Sequence, residues 1–330
     1  MKFGPVPPRD AEAAVLAHSM AVPGGRLRKG KILRAEDVAA LEAAGLTEVI
    51  VARLEPGDVG EDEAATRLAV ALLGEDPQAT GLAPTKATTG RVNLISQVRG
   101  VVDLSRDAIN AINAIDPMIT VATVPQWQRM GQGGMVATIK IIAYAVPENA
   151  LQRACDAARG AMRMRPAVLN AAALVQTAIG DEDGEKGHRA LHGRLKALGV
   201  SLGEKQVVPH EVGALARAIS AATGDVLFIL TGSATSDIRD VAPEALCQAG
   251  GRVVHFGMPV DPGNLLFLGD LAGRPVIGLP GCARSPALNG ADWVMERILC
   301  GVPVGPAEIA AMGVGGLLKD IPQRGRMRDA

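Results

Sequence analysis

Aromatic side chains are scarce in this chain: Phe, Trp and Tyr together make up 2% of its 330 residues. A base-stacking platform of the kind that holds single-stranded nucleic acid is therefore not expected. A surplus of one charge is missing as well. The 34 basic and 35 acidic residues leave a formal net charge of -1, so no field of one sign is available to hold a polyanion. Both absences argue against nucleic acid as a partner. The four cysteines, Cys155, Cys247, Cys282 and Cys300, are widely spaced and form no CxxC pair. That spacing argues against a zinc site or a disulfide framework and suits a reducing cytoplasm. No apolar run is long enough to span a bilayer. The first ten residues contain four prolines or glycines and no apolar core, so no secretory signal is expected. What is present is a globular composition, 48% hydrophobic and 21% charged, with length for two or three domains.

Residues 1–160 read as an α+β region. Helices are expected at 35–44, 61–73 and 105–115, and strands at 48–54, 92–102, 119–124 and 135–145. Glu36 and Asp37 favour a helix start by their charge, and Gly45 favours its stop. A run of small residues at 81–89 reads as a hinge that would divide this region into two subdomains. The basic run from Arg26 to Lys31 reads as a solvated loop. From 165 to 302, apolar runs and amphipathic segments alternate. Strands are expected at 167–177, 200–208, 226–230 and 252–256, and helices at 188–198, 212–222, 241–249 and 286–299. Such alternation predicts a three-layer, doubly wound, mainly parallel α/β sheet. Residues 303–330 form a carboxyl-terminal segment and tail. The arginines and sparse apolar surface of 321–330 predict a mobile end.

The chemistry concentrates between Asp225 and Asn289. Apolar runs there end in loops of small residues at 230–233, 259–264 and 279–282. An apolar run that stops at glycine reads as a buried parallel strand delivering a loop to the sheet edge, where open α/β sheets bind ligands. Gly232, Gly263 and Gly281 allow close backbone approach, and Ser233 and Thr235 add hydroxyl donors. Glycine turns and helix amino termini suit a phosphate. The same glycines also serve simply to close tight strand–helix turns.

These loops resemble the molybdopterin-binding domain shared by molybdopterin adenylyltransferases and molybdopterin molybdotransferases. The family has a strand ending in a TxGG-type loop with an acid several residues on, a PGKP-like turn and an LPGNP-like turn. Here the corresponding stretches are Thr231-Gly232-Ser233-Ala234-Thr235 leading to Asp240, then Asp261-Pro262-Gly263-Asn264, then Leu279-Pro280-Gly281-Cys282-Ala283. The second glycine of the first loop is Ser233, the lysine of the second is Asn264, and the Asn-Pro of the third is Cys282-Ala283. A closer resemblance covers nearly the whole chain. The phrases RKGKILRAEDVAALEAAG, RLEPGDVGEDEAA, HFGMPVDPGNLL and IGLPGCARSPALNGADWV are similar to the amino-terminal half of bacterial fusion proteins. In those proteins a molybdopterin-binding region precedes a molybdenum cofactor cytidylyltransferase-like domain, and the chain here is expected to stop near that junction.

The resemblance implies a ligand, molybdopterin or its metal-bearing form, and a role in molybdenum cofactor biosynthesis. It also implies Mg2+ beside Asp240, self-association as a homodimer or trimer, and a separate nucleotidyltransferase partner. Asp240 is the expected catalytic acid and metal ligand, and equally a good helix N-cap. Asp237 is the alternative metal ligand. Thr231, Gly232, Ser233, Ala234, Thr235, Pro262, Gly263, Asn264, Pro280, Gly281, Cys282, Arg284 and Ser285 are the expected ligand-binding set. Arg284 has a phosphate or a surface role, Cys282 that of a small inert loop residue, and Ser285-Pro286 that of a helix start. Three readings stay open: a molybdotransferase- or nucleotidyltransferase-related enzyme, a non-catalytic carrier that presents the cofactor, and a pyrophosphatase-type relative acting on another phosphorylated nucleotide.

Overall fold

The computed structural model describes residues 1–318; the arginine-bearing end expected to be mobile lies outside the described residues. The chain divides into two compact units: residues 1–98 with 102–164, and residues 99–101 with the remainder from Arg165.

The amino-terminal unit holds two apolar cores. One gathers Leu16, Leu33, Leu41 and Val51 where the helix Ala35–Ala43 packs near the antiparallel strands Lys2–Val6, Val49–Arg53 and Val15–Leu16. The other lies under an antiparallel sheet containing Arg91–Ser96 and Met135–Ile141, covered by the helix Glu61–Leu73 through Leu68 and Leu72. Lys31, from the basic run, is not merely solvated: its ammonium pairs with the buried Asp37 carboxylate. Burial works to raise the Asp37 pKa, but the Lys31 hydrogen bond and the Arg34 N–H outweigh it and hold the carboxyl below its ordinary value. The expected strand at 92–102 is instead two strands, Arg91–Ser96 and Gly100–Leu104. Leu82–Pro84 pairs as a strand within the stretch expected to be a hinge loop at 81–89.

In the carboxyl-terminal unit a seven-stranded sheet is formed. Ala171–Ala178 pairs in parallel with Ser201–Leu202, Gln206–Pro209 and Val226–Leu230, and Val226–Leu230 pairs in parallel with Arg274–Leu279. Phe267–Leu271 runs antiparallel to Arg274–Leu279 and to Arg252–Phe256. Only this strand is reversed, and the other six share one direction. The single strand expected at 200–208 is broken in two, with Gly203 between the halves. Val226–Leu230 is buried at every position, as a strand covered on both faces must be. Leu227 and Ile229 face the helices Val212–Ala221 and Val241–Gln248. Leu230, on the alternate face, meets the helix Glu185–Leu198 at Gly187. Helices therefore cover both faces, and the fold is a three-layer α/β sheet, mainly parallel.

Gly278 lies directly opposite Phe267 across the reversed pair, and a Cβ at Gly278 would collide with the Phe267 ring. Gly278→Ala should cost roughly 1–3 kcal/mol, as overpacking does. Adding Phe267→Leu should recover part of that loss in urea unfolding. Additive losses in the double variant would show that the ring is not what the glycine accommodates.

Candidate functional site

Because six strands share one direction, the loops that follow them leave from one edge of the sheet. Ala171–Ala178 is followed by a helix on one face, and its neighbour Val226–Leu230 by a helix on the other. Adjacent strands that diverge in this way open a crevice at the topological switch point, where doubly wound sheets take their ligands. The first loop begins here, with Thr231 beside Thr177.

Within that loop, Thr231 is buried and its hydroxyl donates to the Ser233 carbonyl at 2.6 Å, with the Thr235 hydroxyl 3.1 Å away. The Gly232 N–H donates to the Thr177 hydroxyl at 3.0 Å. A Cβ on Gly232 would stand 3.0 Å from the Thr177 carbonyl oxygen, so this glycine packs the loop onto the neighbouring strand end and its own N–H is already used. The next three N–H groups, those of Ser233, Ala234 and Thr235, form no hydrogen bond among the described residues. Successive free N–H groups at a crevice are the makings of an anion cradle.

Asp240 closes the loop. Its Oδ1 accepts the Val241 N–H at 2.7 Å and its Oδ2 the Ser236 N–H at 3.0 Å. It is the N-cap of Val241–Gln248, and it ties the loop's middle to the helix start. Asp237 is exposed and engaged by Arg239, whose Nε donates at 3.1 Å and whose N–H donates at 2.9 Å. The Arg239 side chain first, and its N–H second, hold the Asp237 carboxyl below the ordinary carboxylate range. Among the described residues no group of three His, Cys, Asp or Glu could hold a metal ion. The donors at this loop therefore suit a hard cation only in the mode where one carboxylate and ligand phosphate oxygens share it, which is the usual mode for Mg2+.

The second loop supports the third. Gly263 has φ +139, and a Cβ there would stand 2.9 Å from the Gly290 nitrogen and 3.0 Å from Asn289 Oδ1; glycine is required by both conformation and contact. The Pro262 carbonyl accepts the Gly290 N–H at 2.8 Å. Asn264 is exposed, and its carbonyl accepts the Met258 N–H at 3.0 Å. In the third loop, Gly281–Arg284 is one turn of 3-10 helix following Pro280. Arg284 Nη2 donates to the Thr231 carbonyl at 2.6 Å, joining the first and third loops. The exposed Cys282 accepts from Asn289 Nδ2 at 3.0 Å through its sulfur. All three loops are thus tied together through side-chain and backbone contacts.

Ser285 is not a helix start. The last helix of this sheet is Gly290–Leu299, capped by Asn289 in a capping box with Asp292. Residues 285–288 stay outside it, and a side chain not anticipated from the sequence holds the carbonyls of Ser285 and Ala287. Arg194 is buried, and its Nη2 donates to the Ser285 and Ala287 carbonyls at 2.8 and 3.1 Å. Its Nη1 donates to the Ala283 carbonyl at 2.9 Å, and its Nε pairs with Asp292. Arg194 falls on the same helix face as Leu191, Leu195 and Leu198. A charged residue on an apolar face was the available signal.

Comparison with known families is consistent with this geometry. Residues 181–299 match the model of a probable molybdopterin binding domain. That match takes in all three loops and Arg194, and it begins just after the strand that carries Thr177. Residues 5–53 match a second family, a domain of unknown function (DUF8806). No curated protein matches the chain. Among solved structures, the chain is similar to the molybdopterin biosynthesis MoeA protein from Pyrococcus horikosii at 14% identity, covering 92% of this chain and 74% of that one with a TM-score of 0.29. It is similar to a molybdenum cofactor biosynthesis protein B at 15% identity, over 39% of this chain and 86% of that one, with a TM-score of 0.27. A molybdenum cofactor biosynthesis protein from Pyrococcus furiosus matches at 13% identity, over 92% of this chain and 65% of that one, with a TM-score of 0.23.

Proposed function

We propose that the protein binds molybdopterin, or its metal-bearing form, within molybdenum cofactor biosynthesis, with the ligand's terminal phosphate in the crevice at the switch point. The observation that carries this reading is the run of three free N–H groups at Ser233, Ala234 and Thr235, in a domain whose family is described as molybdopterin binding. A phosphate oxygen supplies the acceptors those donors lack. Thr231, Gly232 and Thr235 shape the first loop, Pro262, Gly263 and Asn264 support from the second, and Pro280, Gly281, Cys282, Arg284 and Ser285 form the third. Asp240 is the residue that would hold Mg2+ against the phosphate, and Asp237 is its alternate once Arg239 releases it. Bound Mg2+ would neutralise phosphate charge. On this reading the protein presents the bound pterin to a separate nucleotidyltransferase, acts in the cytoplasm and self-associates. Among the described residues no helix is long and apolar enough to cross a membrane.

Gly281 gives the cleanest test. A Cβ there meets only Arg284 Nη1, at 3.4 Å, so Gly281→Val should fold as the native chain does. It should nevertheless weaken pterin binding roughly tenfold, about the loss of one hydrogen bond to a charged group. Binding is read from the fluorescence of pterin released and oxidised from purified protein. Unchanged pterin content in a folded Gly281→Val protein would remove this loop from the site. Incubation with adenylylated molybdopterin and molybdate separates enzyme from presenter, since only an enzyme yields finished cofactor without added protein.

A further inference from the structure

The hydroxyl of Thr177 lies at the centre of a contact that the three loops do not explain. It accepts the Gly232 N–H at 3.0 Å, and it lies 2.7 Å from Nδ1 of His210. Thr177 is 3% exposed, so water does not complete its bonding. A hydroxyl has one proton to donate. Among the described residues the only acceptor it meets is His210 Nδ1. The proton therefore goes to Nδ1, and a neutral imidazole whose Nδ1 accepts carries its own proton on Nε2. Nε2 forms no hydrogen bond among the described residues.

Topology puts this ring at the site. Gln206–Pro209 runs parallel to Ala171–Ala178, with Pro209 opposite Ala178, and the His210 N–H donates to the Ala178 carbonyl at 3.2 Å. His210 thus leaves the sheet at the same edge as Thr231, and one hydroxyl separates its ring from the first turn of the free N–H loop. We infer that His210 is a ligand-contacting residue of the switch-point crevice, donating Nε2–H to a phosphate monoester oxygen held at Ser233–Thr235, and that Thr177 is the positioning residue that fixes its tautomer. The inference rests on the proposed site but adds a donor outside the glycine loops.

The test is calorimetric titration with two probes, inorganic phosphate and a pterin phosphate monoester, on the full chain. His210→Ala should weaken pterin phosphate about tenfold, the scale of a hydrogen bond to a charged acceptor. His210→Gln, which retains a side-chain N–H donor, should recover part of that loss. Thr177→Ser should bind as the native protein does, and Thr177→Val should lose at least as much as His210→Ala, since it also leaves the Gly232 N–H without its acceptor. In the His210→Ala background, Thr177→Val should add only the cost of leaving the Gly232 N–H without its acceptor, and so less than it costs in the native protein, because the rest of its effect runs through the ring. Additive losses would assign Thr177 a merely structural part and overturn the pairing. Binding within twofold of native in His210→Ala, with Gly281→Val still defective, overturns the inference and leaves the proposed site standing. Failure of the native protein to bind either probe overturns both. Nitrogen-15 spectra of the ligand-free protein at a pH where the ring is neutral give an independent answer. A protonated His210 Nδ1 would contradict the assignment.

Discussion

Arg194→Leu is expected to remove about 3–5 kcal/mol of folding free energy, the scale of breaking a buried ion pair by deleting one partner. Arg194 and Asp292 have side-chain exposures of 8% and 6%, so deletion of the guanidinium leaves a carboxylate with neither water nor counter-ion. The same change frees the carbonyls of Ala283, Ser285 and Ala287, so the third loop should lose its shape together with its pterin affinity. Adding Asp292→Asn removes the stranded charge and still leaves an oxygen to accept the Asn289 N–H, which Asp292 Oδ2 now accepts at 2.8 Å. The double variant should therefore be more stable than Arg194→Leu alone while remaining defective in binding. Urea unfolding followed by Trp293 fluorescence, with Trp127 replaced by Phe, reads the carboxyl-terminal unit. A double variant that loses the sum of both single losses would show that the pair is not the source of the cost.

That pair also shows where sequence reading stops. The two residues are 98 positions apart, and no local pattern links them. Helix starts, by contrast, are local, and Asp240 is legible as a cap because its bond to the Val241 N–H depends only on its neighbour. Two cap signals compete after the third loop. Ser285-Pro286 reads as a start, but Asn289 with Asp292 forms the reciprocal capping box, and Arg194 holds the intervening carbonyls out of helical register. Val226–Leu230 is plain in the sequence because a strand buried on both faces is an unbroken apolar run. The reversal at Phe267–Leu271 is not, because such a run carries no sign of its direction. The helix Glu148–Ala158 escaped notice because its buried face is largely alanine, at Ala150, Ala154 and Ala158 beside Leu151. The three glycine loops were readable one by one. Their joining through Arg284 to Thr231, Gly290 to Pro262 and Thr177 to Gly232 was not, since each links segments distant in sequence.

Asp240 carries the second large effect, on binding rather than on stability. Both its oxygens accept backbone N–H groups, from Val241 within the helix start and from Ser236 within the loop. Asp240→Ala should lose both, with a stability cost of about 1 kcal/mol, the usual scale for a lost N-cap. Asp240→Asn retains one acceptor oxygen. It can still cap Val241, but its amide group turns a donor toward the Ser236 N–H, so it should keep most of the stability and lose the hold on the loop. If Asp240 also supplies the single protein carboxylate to Mg2+ at the phosphate, Asn should abolish the Mg2+ dependence of pterin binding as completely as Ala does. Mg2+ alone should bind weakly to the native protein, since one carboxylate with no phosphate beside it is a poor site for a strongly hydrated ion. The measurement is pterin phosphate affinity with and without Mg2+ for the native, Asn and Ala proteins, alongside their unfolding midpoints. Equal stability losses in the two variants, with Mg2+ dependence intact in both, would leave Asp240 as a structural cap and move the metal to Asp237.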